Sequence, residues 1–167
     1  MSHEPEPIVI VTTGGTFDKA YFDALSSYQV GETVVARLLA IARVAHPYRL
    51  IELLRKDSLE LTDADRQLLR ETIGNTPGSR IVVIHGTDTM TDSAQALAGL
   101  GQKTIVLTGA LAPARFSESD ATFNLGMAFA AAQTLPAGVY ITMNGRVFRG
   151  DEVRKDRHQA RFVPKDE

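Results

Sequence analysis

Residues 80–97 read RIVVIHGTDTMTDSAQAL, a pattern that indicates a buried strand, a sharp polar turn and the start of a helix. The run Ile81 to Ile84 is unbroken and β-branched, which is typical of a parallel strand covered on both faces. His85 to Thr89 follow as a polar turn, and Thr91 or Asp92 is then expected to cap a helix. Because open α/β sheets bind ligands at the carboxyl ends of their strands, chemistry is expected at this turn. Taken alone, the turn is equally compatible with an ordinary strand-to-helix connection.

A second polar turn follows the first predicted strand, Ile8 to Val11, and reads TTGGT over residues 12–16. Its adjacent glycines let the backbone come close to a ligand, and three threonines surround them without any charge. The turn lacks both the lysine of a phosphate loop and the GxGxxG spacing of a dinucleotide site, so it does not indicate nucleotide binding. Two threonine-rich turns at strand ends indicate nucleophilic catalysis by hydroxyl groups.

Composition narrows the class of protein. With 167 residues, 44% of them hydrophobic, residues 1–167 are expected to form a single domain. The absence of cysteine excludes disulfides and thiolate metal sites, and the four histidines show no ligand spacing. The net charge is −2 and charges of both signs are mixed along the chain, so the sequence shows no basic patch that would bind nucleic acid. No signal peptide or membrane-spanning run is present, so we expect a cytoplasmic protein with no membrane partner and no metal.

The pattern of apolar residues predicts alternating strands and helices. Strands are predicted at residues 8–11, 48–54, 81–84, 104–107, 139–143 and 146–148, and helices at residues 33–45, 62–73, 91–99 and 121–134. Residues 17–31 are predicted to be a loop over the site, Asn144-Gly145 a type I′ hairpin turn, and the last dozen residues a poorly packed segment. This alternation predicts a three-layer α/β/α domain with a mostly parallel sheet, of the Rossmann-like or flavodoxin-like kind.

The two turns carry a resemblance to a known family. VTTGGTFDKAY at 11–21 and VIHGTDTMTDSA at 83–94 resemble the two signatures of the asparaginase and glutaminase amidohydrolases. Three further segments fit in order: KDSLELTDAD at 56–65, TIVLTGALAPARFSESDATFNL at 104–125 and MNGRVFRGDEVRK at 143–155. The resemblance runs nearly end to end, but only with the family's N-terminal domain. It therefore implies a short-chain member without a C-terminal domain, and a left-handed crossover near the first signature.

The resemblance also implies a nucleophile and its base. The second threonine of TGGT is the family's nucleophile, and that position is Thr16 here. A threonine hydroxyl is too weakly acidic to attack an amide unaided, so it needs a base nearby. The family supplies a tyrosine from the loop that follows, for which Tyr21 is the first candidate and Tyr28 the second. The alternative interpretation makes Tyr21 an ordinary aromatic residue of a surface loop.

A second catalytic group is implied by the HGTDT turn and a distant lysine. In the family these form a triad, which corresponds to Thr87, Asp88 and Lys155. The neutral amine of Lys155 would take the proton of the Thr87 hydroxyl, while Asp88 would hold the ammonium group of the substrate. The alternative is that Lys155 is an ordinary surface lysine.

The remaining expectations concern substrate binding. Ser58 corresponds to the family's serine that binds the α-carboxylate of the substrate. The full set expected around the substrate is Gly15, Asp57, Ser58, Gly86, Asp88 and Ala110. His85 is expected to anchor its turn by a hydrogen bond, and Asp120 and Asn124 to be structural.

The activity implied is deamidation of L-asparagine to L-aspartate and ammonia through a threonine acyl-enzyme, without a cofactor. Two alternatives stay open: the same chemistry on glutamine or another small amide, and a non-catalytic domain that binds an amino acid for regulation. Without the C-terminal domain the pocket should be open and bind substrate weakly. A homodimer or larger symmetric assembly, formed through residues 121–134 or 139–148, would restore part of the enclosure.

Overall fold

The computed structural model of the chain describes residues 3–22, 27–30 and 33–167, and for residues 19–22 and 27–30 it describes the backbone alone. Its strands are β1 (Ile8–Thr12), β2 (Lys19–Phe22), β3 (Ser27–Val30), β4 (Tyr48–Glu52), β5 (Arg80–Ile84), β6 (Thr104–Thr108), β7 (Gly138–Met143), β8 (Arg146–Arg149), β9 (Val153–Asp156) and β10 (Arg161–Pro164). Its helices are α1 (Val35–Ile41), α2 (Asp63–Asn75), α3 (Met90–Ala96) and α4 (Ala121–Thr134), with short 3-10 turns at Thr16–Asp18 and Ser58–Glu60.

A six-stranded sheet forms the centre, in the order β4-β1-β5-β6-β7-β8. The first five strands are parallel, and β8 is antiparallel to β7. Along β5, Val82 and Ile84 pack on one face, against α4 and α1, while Ile81 and Val83 pack on the other, against α2 and α3. Burial on both faces explains why the strand has no polar alternation. The predicted α/β class with a mostly parallel sheet is confirmed.

Several local predictions hold. Helix α4 has the predicted bounds, and helix α2 begins with a capping box between Thr62 and Asp65. The β7–β8 hairpin turns at Asn144 and Gly145 with φ of 53° and 70°, the positive values that a type I′ turn requires. None of the helices in the described part of the chain is long and apolar enough to cross a membrane.

Two helix predictions need correction. Neither Thr91 nor Asp92 caps α3, because the helix begins at Met90 with Thr89 in the N-cap position. The Thr89 hydroxyl makes no cap hydrogen bond and instead donates to the backbone carbonyl of Ser58 at 2.8 Å. Helix α1 is also shorter than the predicted 33–45, since Arg43 leaves the helical region with φ of 53°.

The predicted loop at 17–31 is largely regular. Strands β2 and β3 pair antiparallel, with Lys19 opposite Val30 and Tyr21 opposite Tyr28. The loop prediction is therefore wrong for residues 19–22 and 27–30, while residues 23–26 and 31 lie outside the described part of the chain. The sequence between these two strands has no Asn-Gly or similar turn pair, so the local pattern did not predict that they pair.

The prediction of a poorly packed final segment is also wrong. Strands β9 and β10 form a separate two-stranded antiparallel sheet, here called the Lys155 ribbon (residues 153–164). Val153, Phe162 and Val163 are buried, and Val153 and Phe162 join the core beneath α2 and α3. Three buried apolar side chains offset the solvation of the charged residues around them, so the segment is held on the body of the domain.

Candidate active site

The TTGGT turn (residues 12–16) and the HGTDT turn (residues 85–89) lie in direct backbone contact. Gly15 adopts φ of 85°, and a Cβ atom there would lie 2.6 Å from both Cα and N of Gly86. Thr13 strengthens the junction, because its backbone N–H and its hydroxyl both donate to the carbonyl of Ile84, at 3.0 and 2.9 Å. Neighbouring parallel strands bring the two turns to one sheet edge, and glycine at position 15 allows them to touch. Thr16 and Thr87 each follow one of the contacting glycines.

Ser58 lies on the other side of Gly86. A Cβ atom on Gly86 would lie 2.6 Å from the Cβ atom of Ser58, so here too only a hydrogen fits between backbone and side chain. Ser58 is buried and begins a 3-10 turn, where the Asp57 carboxylate accepts the backbone N–H of Leu59 at 3.2 Å. The structure thus brings Asp57 and Ser58 to the same edge as the two threonine-rich turns.

Lys155 reaches this edge from the ribbon. Its Nζ atom donates to the Thr87 hydroxyl at 2.8 Å and to Asp88 Oδ1 at 2.8 Å. The lysine side chain is only 16% exposed and that of Asp88 33%, so this is a partly buried, charge-assisted contact rather than a solvated surface pair. An ordinary surface lysine does not describe this geometry. An amine held between a hydroxyl and a carboxylate can move a proton to or from the hydroxyl once it is neutral.

Thr16 is half-buried and begins the 3-10 turn that ends at Asp18. The Asp18 carboxylate is buried and accepts the backbone N–H of Val34 at 2.8 Å. Burial raises the pKa of Asp18, while its hydrogen bond from Val34 opposes that shift. Asp18 therefore fixes the turn that presents Thr16. The side chains of Tyr21 and Tyr28, expected to supply the base, lie outside the described part of the structure.

His85 anchors the HGTDT turn from below. It is fully buried, with Nδ1 2.7 Å from the carbonyl oxygen of Gly86 and Nε2 2.7 Å from Ser93 Oγ. A carbonyl can only accept, so Nδ1 carries the proton and Nε2 accepts from the Ser93 hydroxyl. Burial lowers the pKa of His85 to about 4, which keeps the ring neutral at physiological pH. Sequence reasoning missed the role of Ser93 as the partner of His85. The feature that could have indicated it is a hydroxyl group on the same buried face of α3 as Met90.

A third turn follows β6 and contains Ala110, which is buried. The Asp120 carboxylate accepts the two backbone N–H groups that follow Ala110, each at 3.0 Å. Asn124 donates from Nδ2 to the carbonyl of Gly109 at 2.9 Å and to Asp120 at 2.9 Å. Both residues are thus structural in the sense expected, since they hold the backbone of this turn. In the described ranges no group of three or more His, Asp or Glu side chains could hold a metal ion.

Solved structures share this fold. The L-asparaginase I of Vibrio cholerae is 28% identical with a TM-score of 0.83, and the match covers 95% of this chain and 51% of that one. The thermostable L-asparaginase from Thermococcus kodakarensis is 23% identical with a TM-score of 0.82, and the match covers 95% of this chain and 51% of that one. A probable cytoplasmic L-asparaginase from Campylobacter jejuni is 23% identical with a TM-score of 0.82, and the match covers 97% of this chain and 54% of that one. At 23% identity, the latter two show the fold alone.

The chain spans about half the length of each of these structures. A search of curated protein sequences finds no match. The model of the asparaginase N-terminal domain matches residues 7–162, which include both threonine-rich turns and the lysine that reaches them. The chain therefore belongs to the asparaginase family and corresponds to its N-terminal domain.

Proposed function

We propose that this domain is an amidohydrolase that converts L-asparagine to L-aspartate and ammonia through a threonine acyl-enzyme, without a cofactor. The observation that carries the proposal is the Lys155 amine, 2.8 Å from both the Thr87 hydroxyl and the Asp88 carboxylate. This group lies on a turn in backbone contact with the turn of Thr16. Membership of the asparaginase family and the similarity to the Vibrio cholerae L-asparaginase I support the choice of substrate.

In the first half-reaction the Thr16 hydroxyl oxygen attacks the carbon of the side-chain amide. Its proton passes to a base, for which Tyr21 is the candidate and Tyr28 the substitute. Backbone N–H groups of the two glycine turns stabilise the oxyanion that forms. The carbon–nitrogen bond then breaks, the nitrogen takes up a proton and leaves as ammonia, and an ester joins the aspartyl group to Thr16.

In the second half-reaction water cleaves this ester. The neutral Lys155 amine takes the proton of the Thr87 hydroxyl, which in turn takes a proton from the attacking water. The water oxygen bonds to the ester carbon and the bond to Thr16 breaks, the proton collected by Lys155 passes to the Thr16 oxygen, and the product leaves as aspartate after losing its carboxylic proton to solvent. Asp88 holds the substrate ammonium: its Oδ1 accepts from Lys155, while its Oδ2 has no hydrogen bond among the described residues.

The other end of the substrate is assigned to the corner at Ser58. Its hydroxyl binds the α-carboxylate, while the 3-10 turn capped by Asp57 keeps it against Gly86. Ala110, on the turn that follows β6, closes the remaining side. The Campylobacter jejuni neighbour is described as a probable cytoplasmic L-asparaginase, and the cytoplasm is the location we propose for this chain.

Ammonia release from a panel of amides tests the proposal. We expect turnover of L-asparagine, and less of glutamine and of small amides that lack an α-amino group. Thr16→Ala and Thr87→Ala should each lower kcat by at least about 100-fold, because each removes a reacting hydroxyl. Both should leave folding intact, as judged by circular dichroism and a cooperative melting transition, while Thr16→Ser should retain part of the rate.

The matched control is Thr72→Ala, since the Thr72 hydroxyl is exposed and only donates to a carbonyl of its own helix. It should leave the rate unchanged. A Thr16→Ala enzyme with a near-normal rate would refute the nucleophile. Stabilisation of the wild-type protein by aspartate without any turnover would instead favour the amino-acid-binding domain.

A further inference from the structure

Lys155 does not belong to the main sheet. It lies on β9, which pairs only with β10 among the described strands, and Phe162 is the residue opposite it. Side chains of opposite residues in an antiparallel pair lie on the same face. Phe162 is buried in the core beneath α2 and α3, so the position of its backbone sets the position of the Lys155 amine.

One side chain ties this pair of strands to the rest of the fold. Asn144, in the β7–β8 turn, accepts the backbone N–H of Phe162 at its Oδ1 atom, at 2.8 Å. Apart from the hydrogen bonds of Lys155 itself, this is the only one that joins the Lys155 ribbon to the main sheet or its turns within the described residues. Without it, the position of β10 relative to the HGTDT turn would depend on apolar contacts, on the short connection from β8 to β9 and on the hydrogen bonds of Lys155 itself.

The type I′ turn does not account for this bond. Asn144 has φ of 53°, a conformation that glycine adopts at least as readily. The turn explains why asparagine or glycine stands here, but it makes no use of the side-chain amide. The hydrogen bond to Phe162 is therefore a second role of Asn144, and Phe162 is the residue opposite Lys155 in the ribbon.

We propose that Asn144 is a positioning residue for Lys155, acting through the backbone of Phe162. The inference rests on the proposed function, in which the Lys155 amine takes the proton of Thr87. When the Asn144 amide holds Phe162, the opposite residue keeps its Nζ atom within 2.8 Å of both Thr87 and Asp88. A proton acceptor displaced by about 1 Å loses much of its effect, since catalysis depends on near-contact geometry.

Two variants distinguish the effect of the turn conformation on activity from the effect of the hydrogen bond. Asn144→Gly keeps the positive φ and removes the acceptor, whereas Asn144→Asp keeps both. We expect Asn144→Gly to lower kcat about tenfold with little change in KM, and to alter the alkaline limb of the pH profile. Asn144→Asp should remain within about threefold of wild type, because aspartate tolerates this conformation and accepts the same N–H. A full rate for Asn144→Gly, or a large loss for a folded Asn144→Asp, overturns the inference.

A second measurement does not depend on activity. Acylation of lysines by an amine-reactive reagent, read by mass spectrometry, reports how firmly the Lys155 amine is held. We expect slow labelling in wild type and Asn144→Asp, and at least about threefold faster labelling in Asn144→Gly, with Lys103 as the internal reference. Unchanged labelling refutes the positioning role. If wild type releases no ammonia from any amide yet Asn144→Gly labels faster, the proposed reaction fails while the role of Asn144 stands.

Discussion

Among single residues, the proposed reaction depends most on Lys155, whose amine must lose its proton before it can take the proton of Thr87. The rate of the wild-type enzyme should therefore rise with pH along an alkaline limb. Lys155→Met and Lys155→Arg should each lower kcat by at least about 100-fold and remove that limb, because neither side chain can accept the proton. The measurement is kcat for ammonia release between about pH 6 and pH 10.

Lys103→Met is the matched control for this series. Lys103 donates to the carbonyls of Thr76 and Gly78, at the opposite edge of the sheet, so its loss should leave the pH profile unchanged. An alkaline limb that persists in Lys155→Met would show that another group is responsible for it, such as Tyr21 or Tyr28.

Single residues also show what sequence reasoning can reach. The two threonine-rich turns follow from the sequence itself, because local patterns place them at strand ends, whereas the choice of Thr16, Thr87 and Asp88 within them came from the resemblance. Lys155 came from the resemblance alone, and its contact with Thr87 spans 68 residues. Asn144 was read for its turn only, since a side-chain bond to a backbone N–H 18 residues away leaves no pattern in the sequence.

Among the structural elements, the two glycine turns approach each other so closely that position 15 has no room for a side chain. Gly15→Ala should destabilise the domain by about 2–4 kcal/mol and abolish activity, because its Cβ atom would overlap the Gly86 backbone and φ is 85°. Urea unfolding and ammonia release measure the two effects.

The control for that substitution is Gly74→Ala. A Cβ atom on Gly74, inside α2, would meet only the Leu100 side chain, at an ordinary contact distance of 3.6 Å. It should leave activity unchanged and raise stability by about 0.5–1 kcal/mol, because alanine favours a helix. Equal stability of wild type and Gly15→Ala would contradict the close approach of the two turns.

Elements with strong local signals were predicted, and those that depend on distant partners were not. The β7–β8 hairpin has its Asn-Gly turn, and β5 has its β-branched run, so both could be read in isolation. Residues 161–164 contain only Phe162 and Val163 as large apolar side chains, between Arg161 and Pro164. Their burial comes from the core beneath α2 and α3, which the local pattern does not contain.

At the scale of the whole molecule, stability should fall in acid because of His85. Its pKa is about 4 in the folded protein against 6.5 when unperturbed. Between these values the unfolded chain binds more protons, so stability is complete above about pH 6.5 and declines by about 3 kcal/mol as the pH falls to 4. Asp18 acts in the opposite direction, since its raised pKa favours the folded state as the pH falls.

Urea unfolding at a series of pH values checks this. The difference in unfolding free energy between wild type and His85→Gln isolates the histidine, because Asp18 is common to both. That difference should shrink as the pH falls below about 6.5. A constant difference would show that the ring titrates normally in the folded protein.

Assembly is the other prediction for the whole molecule. Helix α4 is apolar around most of its circumference, which is typical of a helix covered on all sides, yet its Phe123 is 64% exposed. We expect a homodimer or larger symmetric assembly that covers this helix. Light scattering should give at least twice 18.2 kDa, and Phe123→Lys should shift the mass towards the monomer. A fully active monomer with tight asparagine binding would contradict the expectation.

The attachment of Lys155 through a separate ribbon also sets an order of events. The five parallel strands can form before residues 153–164 dock, but the proton acceptor is then still absent from the HGTDT turn. The contact between Lys155 and Thr87 needs both the docked ribbon and the completed HGTDT turn, so it forms no earlier than either of them. During refolding, ammonia release should therefore lag behind the recovery of far-ultraviolet circular dichroism. If the proposed function holds, a chain still on the ribosome would release no ammonia until residues 153–164 have emerged and docked.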